Sequence, residues 1–341
     1  MASDRFSRGP SSSPREPVRL PLPVPFVVGH VNAYLLEGEP LTLVDPGPRT
    51  PATLAALEAA LGERGAALEQ VELLLLTHHH VDHTGLAADV KARSGCAVAA
   101  YELLATLLRD AEAARAIDDA YAEALLELHG APPAVIATVA EVSNLDPAVA
   151  ASVEVTQAFV DGDTFVAGGH ELTALARPGH SPTDTIFVHP DGWALVADHL
   201  PARGSSVVLM HAPPSGTSDP RQRPHALLAY RASLARTEAL GLRRAFPGHG
   251  EIVDDPRAAI GHQFAAQERK AGRLLEHLGD GARTAWELAE LTRGRTVLAG
   301  EGHPWSEAFI VLSDVLAHLD LLIANGLVRE LDGDVLAYQA T

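Results

Sequence analysis

The chain is short of cysteine and of long apolar runs. Cys96 is the single cysteine in 341 residues, which excludes an intramolecular disulfide and a metal cluster held by several thiolates. No run approaches the ~20 apolar residues that cross a bilayer, so we expect no membrane-spanning segment. Residues 1–19 are rich in Ser, Pro and Arg and lack the apolar stretch of a secretory signal. We therefore expect a cytoplasmic protein in which residues 1–20 form a disordered tail.

Positive charge is also scarce. Lys and Arg number 26 against 44 Asp and Glu, which gives a formal net charge of −18, and the basic residues cluster only in pairs. Proteins that bind nucleic acid through its phosphates need several Lys or Arg side chains together on one face. The composition therefore argues against nucleic acid as a partner and favours a small molecule as the substrate.

Short apolar runs that suit buried strands alternate with segments of helical spacing over residues 21–265. Apolar residues make up 47% of the chain, enough for one large domain and a small one. Thr50 followed by Pro51 predicts the start of a helix, with Thr50 as its N-cap. Strands are predicted at 71–76, 159–166, 171–176, 185–188 and 193–197. This alternation indicates a layered α/β domain.

Two segments depart from this alternation. Leucines repeat with helical spacing across residues 101–150, which predicts an all-helical insertion. Residues 266–341 have the pattern helix, helix, hairpin, in which Thr284 and Glu287 fit a capping box. That order is the outline of a winged helix, a module that often binds DNA. Because its second helix carries no basic stripe, we expect the module to pack against the rest of the chain or to form a homodimer.

One stretch of the sequence is dense in metal-binding side chains. His78, His80, Asp82 and His83 lie within six residues, directly after the apolar run 71–76. Imidazole and carboxylate groups are ligands for zinc and similar ions. A solvated His-rich loop is the alternative interpretation, but the preceding buried strand holds these residues in place. Four ligands on so short an arc suit two adjacent metal sites better than one tetrahedral site.

Three further candidates share this placement after a strand: His180, Asp198 and His249. In a layered α/β domain, such strand ends can converge on one rim. The sequence therefore predicts a metal centre at one edge of the sheets.

These segments carry a resemblance to a known family. THHHVDHTG, PGHSPTDT, VADHL and FPGHG, in this order and spacing, resemble the metallo-β-lactamase superfamily, as does LVDPGP at 43–48. The resemblance covers about residues 21–265 and implies an α/β fold, a four-layer αβ/βα sandwich with its metals at one edge. Residues 266–341 resemble the small winged-helix-like domain of one subgroup of these hydrolases. The insertion at 101–150 is expected to cap the site.

The resemblance also implies a role for each ligand. By position, the first site comprises His78, His80 and His180, and the second comprises Asp82, His83 and His249. Asp198 would bridge the two ions opposite a bridging hydroxide, and Asp82 would hold or relay a proton. Asp45 matches a residue that orients a ligand histidine.

The resemblance implies a hydrolase with two divalent ions, expected to be zinc, with iron or manganese as alternatives. Two such ions lower the pKa of a shared water and polarise a carbonyl or phosphoryl oxygen. The leading hypothesis is hydrolysis of a small ester, thioester, lactone or lactam. An endoribonuclease or phosphodiesterase of the same fold is disfavoured by the acidic composition. An iron-dependent thiol oxidoreductase, with one iron on two His and one Asp, is disfavoured by the full set of seven ligands.

Three other histidines are candidates for contact with the ligands or the substrate. His79 lies between two ligands and would face away from them in an extended segment. His199 follows the predicted bridging Asp198 and is a candidate for touching substrate. His211 lies on a loop that could line the pocket. The sequence identifies neither the substrate nor the oligomeric state.

Overall fold

The computed structural model describes residues 16–25, 29–143, 151–213, 219–279, 281–293 and 306–341. The predicted tail falls largely on 1–15, outside the described residues. The first strand begins at Val18, inside the segment predicted as tail. No helix within the described ranges combines the length and the apolar character that crossing a membrane requires.

The first large sheet has six strands in chain order from one edge to the other. They are β1 (Val18–Pro23), β2 (His30–Leu36), β3 (Thr42–Val44), β4 (Leu73–Leu75), β5 (Ala97–Tyr101) and β6 (Gln157–Phe159). Pairing is antiparallel from β1 to β3 and parallel from β3 to β6. In β4, Leu73 and Leu75 pack toward the second sheet, and Leu74 packs toward helices. Burial on both faces explains why this strand is a continuous apolar run.

Helices cover the outer face of this sheet. They are α1 (Pro51–Glu63), α2 (Val81–Thr84) and α3 (Ala87–Ser94), with a short 3-10 helix at Leu68–Gln70. α1 begins as predicted, because the Thr50 hydroxyl accepts a hydrogen bond from the Thr53 N–H at 3.1 Å. Its buried face carries Leu57 and Leu61, which pack on the sheet.

The second large sheet has five strands in the order β11-β10-β9-β8-β7. They are β7 (Thr164–Ala167), β8 (His170–Ala176), β9 (Thr185–Val188), β10 (Trp193–Ala197) and β11 (Arg244–Pro247). β10 and β11 are parallel, and the other pairs are antiparallel.

The single strand predicted at 159–166 is wrong, because β6 and β7 belong to different sheets. A turn separates them. The Asp163 carboxylate accepts a hydrogen bond from the Val160 N–H at 2.8 Å, and Gly162 adopts φ 94°, a conformation that favours glycine. The chain therefore crosses from one sheet to the other within four residues.

The two sheets pack face to face, and helices lie on both outer faces, which confirms the predicted αβ/βα sandwich. Aromatic rings fill the space between the sheets, such as Tyr34 and Phe246, whose centroids are 5.8 Å apart in an edge-to-face contact. α7 (Ala226–Glu238) and α8 (Pro256–Leu278) cover the second sheet, and a 3-10 helix at Pro220–Gln222 precedes α7.

The predicted insertion is helical over its described part. It forms α4 (Glu102–Arg109), α5 (Ala111–Leu128) and α6 (Pro133–Ser143), and residues 144–150 lie outside the described residues. Leu104 of α4 packs with the helices of the first sheet. Tyr121 and Leu125 of α5 pack instead in the core beneath the second sheet. The insertion therefore passes from one outer layer of the sandwich to the other.

The C-terminal residues form α9 (Ala285–Arg293), α10 (Ser306–Ala324), β12 (Arg283–Thr284), β13 (Val328–Leu331) and β14 (Ala337–Ala340). The predicted capping box is present, because the Thr284 N–H donates to Glu287 at 2.8 Å and the Glu287 N–H donates to Thr284 at 3.1 Å. The strands pair in the order β12-β14-β13. The predicted boundary at 265/266 falls inside α8, and the winged-helix-like assignment stays a prediction.

A buried ion pair joins the segment before α7 to α10. The Arg223 guanidinium lies 2.6 Å from the Asp320 carboxylate, and these side chains are 5% and 0% exposed. An exposed ion pair joins the same segment to the turn between β13 and β14: Arg221 lies 2.8 Å from Asp332, whose side chain is 92% exposed. Arg223 also contacts Glu330 at 3.1 Å, but that carboxylate is 37% exposed, so Asp320 is the partner of Arg223 that is shielded from water.

We expect Asp320→Ala to lower the free energy of unfolding by about 3–5 kcal/mol, because it leaves the Arg223 charge buried without its closest partner. Asp332→Ala, the matched control, should cost less than about 1 kcal/mol. Urea denaturation followed by circular dichroism measures both. Equal losses in the two variants would show that the buried pair contributes no more to the junction than the exposed one.

Candidate metal centre

Strand ends bring the predicted ligands to one edge of the sandwich. Residues 77–83 follow β4 in the first sheet, whereas His180, Asp198 and His249 follow β8, β10 and β11 in the second. The backbone N–H of Thr185 donates to the carbonyl oxygen of Thr77 at 3.1 Å, which ties the two sheets together at this edge. The ligands predicted from the sequence therefore meet in the tertiary structure.

Three imidazoles form the first group. His80 Nδ1 lies 3.1 Å from His78 Nε2 and 2.8 Å from His180 Nε2. Asp198 Oδ2 is 3.3 Å from His180 Nε2. These four ligand atoms all lie within 4.8 Å of one another. Three nitrogens and one carboxylate oxygen at this spacing match a four-coordinate divalent site.

The second group lies on the other side of Asp198. Asp82 Oδ2 is 3.2 Å from His249 Nε2 and 3.8 Å from His83 Nε2. Asp198 reaches this group too, with Oδ1 3.5 Å from His83 Nε2 and Oδ2 3.5 Å from His249 Nε2. Asp198 therefore contacts both groups, the position that the resemblance implied for a bridging ligand.

Two buried atoms of the cluster have no hydrogen-bond partner within the described part of the chain. They are His83 Nε2 and Asp198 Oδ1. Leaving a buried polar atom without a partner costs about 1–3 kcal/mol. A divalent ion between these atoms would supply the missing interaction, so the residues present fit a metal.

The two groups differ in their electrostatics. Burial lowers the pKa of His78 well below its usual value, which keeps the ring in the neutral form that binds metal. Burial also opposes protonation of His249, but hydrogen bonds and charge from Asp198 and Asp82 raise its pKa to about 10. The pKa of His83 is raised against burial by the same carboxylates. Protons on these rings balance the carboxylates when no ion is bound, so metal binding must release them.

Hydrogen bonds hold the ring nitrogens that face away from the cluster. His83 Nδ1 donates to Asp45 Oδ2 at 2.9 Å, the contact that the resemblance implied for Asp45. His180 Nδ1 donates to the carbonyl of Val207 at 2.6 Å, and His249 Nδ1 donates to a backbone carbonyl at 2.9 Å. Such bonds fix the tautomer and the orientation of a ligand ring.

Backbone strain is concentrated beside the ligands. In the described chain, Asp45 and Ala197 are the non-glycine residues with positive φ, at 50° and 41°. Ala197 directly precedes Asp198, where the pairing between β10 and β11 shifts register. Such conformations cost about 1–3 kcal/mol and persist where the surrounding structure enforces them. Here they turn Asp45 and Asp198 toward the cluster.

Of the additional histidines, His79 and His211 lie against the first group. His79 Nδ1 lies 3.0 Å from the Thr183 hydroxyl, and the centroid of its ring lies 4.8 Å from that of His80. His211 Nε2 lies 3.3 Å from His80 Nε2, so its loop does reach the site.

His199 lies elsewhere. Its side chain is buried, and its Nε2 is 2.9 Å from the Thr237 hydroxyl of α7. Burial lowers the pKa of His199 to about 3, so the ring is neutral. The ring is therefore covered by α7 instead of lying at the surface of the site, and its contact with substrate stays a prediction.

Two carboxylates at the site were missed from the sequence. The Asp184 carboxylate accepts hydrogen bonds from the Ser181 N–H at 3.0 Å and from the Ser181 hydroxyl at 2.8 Å. These bonds shape the loop that carries His180. Burial raises the pKa of Asp184 to about 6. Asp184 lies in PGHSPTDT, one of the segments that carry the resemblance, so the sequence could have identified it as a candidate. Asp118 of α5 lies 3.3 Å from His211 Nδ1. Nothing in the helix sequence distinguishes Asp118 from the neighbouring Asp119.

A cavity of about 360 Å³ lies between α8, α9 and α10. Its lining includes Lys270, Arg273 and Val207 but none of the seven predicted ligands. Val207 therefore connects the two regions, since it lines the cavity and its carbonyl accepts the hydrogen bond from His180.

The sequence and the fold are similar to those of known proteins. The model of the Metallo-beta-lactamase superfamily matches residues 27–249. The probable metallo-hydrolase YqjP of Bacillus subtilis strain 168 is 29% identical over 311 residues, which cover 90% of this chain and 92% of that protein. The crystal structure of a metallo-beta-lactamase family protein from Thermus thermophilus is 29% identical, with a TM-score of 0.76 over 95% of this chain and 98% of that one. An atrochrysone carboxyl ACP thioesterase of Aspergillus fumigatus is 28% identical over 151 residues, which cover 41% of this chain and 43% of that protein.

The close packing of the cluster against Gly248 gives a test of the site. A Cβ at this position would lie 2.3 Å from Asp198 Oδ1 and 2.6 Å from His83 Cε1. We expect Gly248→Ala to displace both side chains and to weaken metal binding by at least the ~10–100-fold typical of disturbed metal surroundings. Equilibrium dialysis with elemental analysis measures this.

The control for this test is Gly261→Ala in α8, where a Cβ would meet no atom within 4 Å. It should bind metal like the unaltered chain. Equal metal affinity in both variants, with both folded by circular dichroism, would contradict the placement of Asp198 and His83 in the metal centre.

Proposed function

The chain belongs to the metallo-β-lactamase superfamily and is a metal-dependent hydrolase, and we propose that it uses two zinc ions to hydrolyse a small acyl substrate. The observation that carries the proposal is a pair of His/Asp groups that share the carboxylate of Asp198. Two divalent ions, when bound, supply a water of lowered pKa and polarise the oxygen of the scissile carbonyl.

The side chains divide the work of binding. His78, His80 and His180 would hold one ion, Asp82, His83 and His249 the other, and Asp198 both. We assign to Asp82, the carboxylate of the second group, the role of holding or relaying a proton; its side chain is 16% exposed. Burial opposes ionisation of Asp82, but the charge of His83 and the hydrogen bond from His249 keep its pKa below the usual value. The carboxylate is therefore ionised at neutral pH.

The chemistry of the donor atoms supports zinc. Five imidazole nitrogens dominate the set, and imidazole suits zinc, copper, iron and nickel, whereas manganese and magnesium prefer oxygen ligands. An iron enzyme acting on thiols would need two His and one carboxylate on a single ion. That chemistry would leave the first group without a function, so we favour two ions and hydrolysis.

The proposed substrate is an ester or thioester rather than RNA. The net charge of −18 opposes the approach of a polyanion. The cavity beside Val207 does carry Lys270 and Arg273, but Lys270 is paired with Asp314 at 2.9 Å, which offsets its charge. The similarity to a fungal ACP thioesterase, although it covers only 41% of this chain, makes a thioester the first acyl compound to test.

The shared carboxylate predicts a stoichiometry. We expect zinc-loaded protein to hold close to two ions per chain and Asp198→Ala to weaken both, because Asp198 contacts both groups. Asp191→Ala, a 64% exposed position just before β10, is the control and should keep both ions. Elemental analysis after dialysis counts the ions. Full activity with one ion per chain would contradict the dinuclear assignment.

The substrate class is tested with zinc-loaded protein and a panel of esters, thioesters, lactones, lactams and a structured RNA at physiological salt. We expect turnover of at least one acyl compound, lost in Asp198→Ala and kept in Asp191→Ala, with the RNA left intact. RNA cleavage that depends on Asp198, together with inactivity on every acyl compound, would replace this proposal by the nuclease alternative.

A further inference from the structure

His80 differs from His180 and His249 in the hydrogen-bond partner of the ring nitrogen that faces away from the metal centre. His180 and His249 each donate to a backbone carbonyl oxygen. His80 instead turns Nε2 toward another imidazole, His211 Nε2, at 3.3 Å, while its Nδ1 faces the other ligands of the first group. The support of this one ligand therefore depends on where His211 is held.

Asp118 of the insertion helix α5 holds His211. Its Oδ2 lies 3.3 Å from His211 Nδ1, and its Oδ1 accepts a hydrogen bond from the Ala212 N–H at 2.8 Å. One carboxylate thus holds both the ring and the backbone of the loop. When His211 Nδ1 donates to Asp118, His211 Nε2 becomes an acceptor for the N–H of His80.

We propose that Asp118 and His211 are positioning residues for the ligand His80, through which the insertion helix α5 sets the metal affinity of the first group. The proposal rests on the metal centre proposed above. Metal-binding histidines are commonly oriented by a carboxylate, and losing such a partner typically costs ~10–100-fold in metal affinity. Here the carboxylate acts through an intervening imidazole.

A third ion held by His79, His80 and His211 is the competing arrangement, since these rings also lie close together. The contacts of His211 argue against it. Its Nε2 faces His80, whereas its Nδ1 lies 3.4 Å from His79 Nε2 and also faces Asp118. A single ion binds only one nitrogen of a ring, so opposite nitrogens directed at two neighbours indicate hydrogen bonds.

The test is a Co²⁺ titration of the metal-free full-length chain, read by visible absorption and by competition with a chelator. Asp118→Asn and His211→Ala are compared with Asp119→Asn, the neighbouring carboxylate on α5, which faces Arg115 at 4.0 Å. Each protein is also titrated in a His249→Ala background, in which the first group stays intact. Circular dichroism confirms that every variant folds.

We expect Asp118→Asn and His211→Ala each to weaken Co²⁺ binding by the first group ~10–100-fold and to change its absorption spectrum. The double variant should bind no more weakly than His211→Ala, because Asp118 acts through His211. Asp119→Asn should match the unaltered chain in affinity and spectrum. If the substitutions acted only by a general loss of structure, Asp118→Asn would weaken Co²⁺ binding further in the His211→Ala variant.

Affinities within twofold of the unaltered chain for both Asp118→Asn and His211→Ala would overturn the proposal. So would binding of a third Co²⁺ that His211→Ala removes, because His211 would then be a ligand. The titration contains no substrate, so these outcomes leave the proposed hydrolysis untouched. Failure of the unaltered chain to bind Co²⁺ would overturn the metal centre itself.

Discussion

The carboxylate of Asp198, largely removed from water among imidazoles that follow strands of both sheets, is the constraint on which the site depends. A buried charge is tolerated only where partners surround it, and here those partners are His83, His180 and His249. Without a metal, raised histidine pKa values meet this requirement through protonation. Divalent ions would meet it more completely, because they would also interact with His83 Nε2 and Asp198 Oδ1, which accept or donate no hydrogen bond within the described residues.

The arrangement of the two sheets brings the histidines and Asp198 together at one edge of the sandwich. Strands from both sheets end at the same edge, and the hydrogen bond between Thr185 and Thr77 ties the edges together. The left-handed conformations of Asp45 and Ala197 then direct side chains across the gap. Strain at these positions is tolerated because the packed aromatic core between the sheets keeps the strands from relaxing.

The outer elements are part of the same packing. α5 and α10 bury residues in one continuous core with the second sheet, and the backbone N–H of Trp286 donates to the His129 carbonyl oxygen at 3.1 Å. The insertion and the C-terminal elements are therefore bonded to each other as well as to the sandwich. Asp118, His211 and Val207 stand where these elements meet the metal centre, so a change in either can reach the ligands.

The sequence by itself determined the features that short-range chemistry specifies. Four ligands after one apolar strand, the N-cap at Thr50 and the capping box at Thr284 are each encoded within a few residues. Only the tertiary structure decided contacts between distant segments. Asp118 and His211 are 93 positions apart, His199 is covered by a helix from later in the chain, and β6 and β7 join different sheets. Local patterns cannot specify these, because they depend on which elements pack side by side after the whole chain has folded.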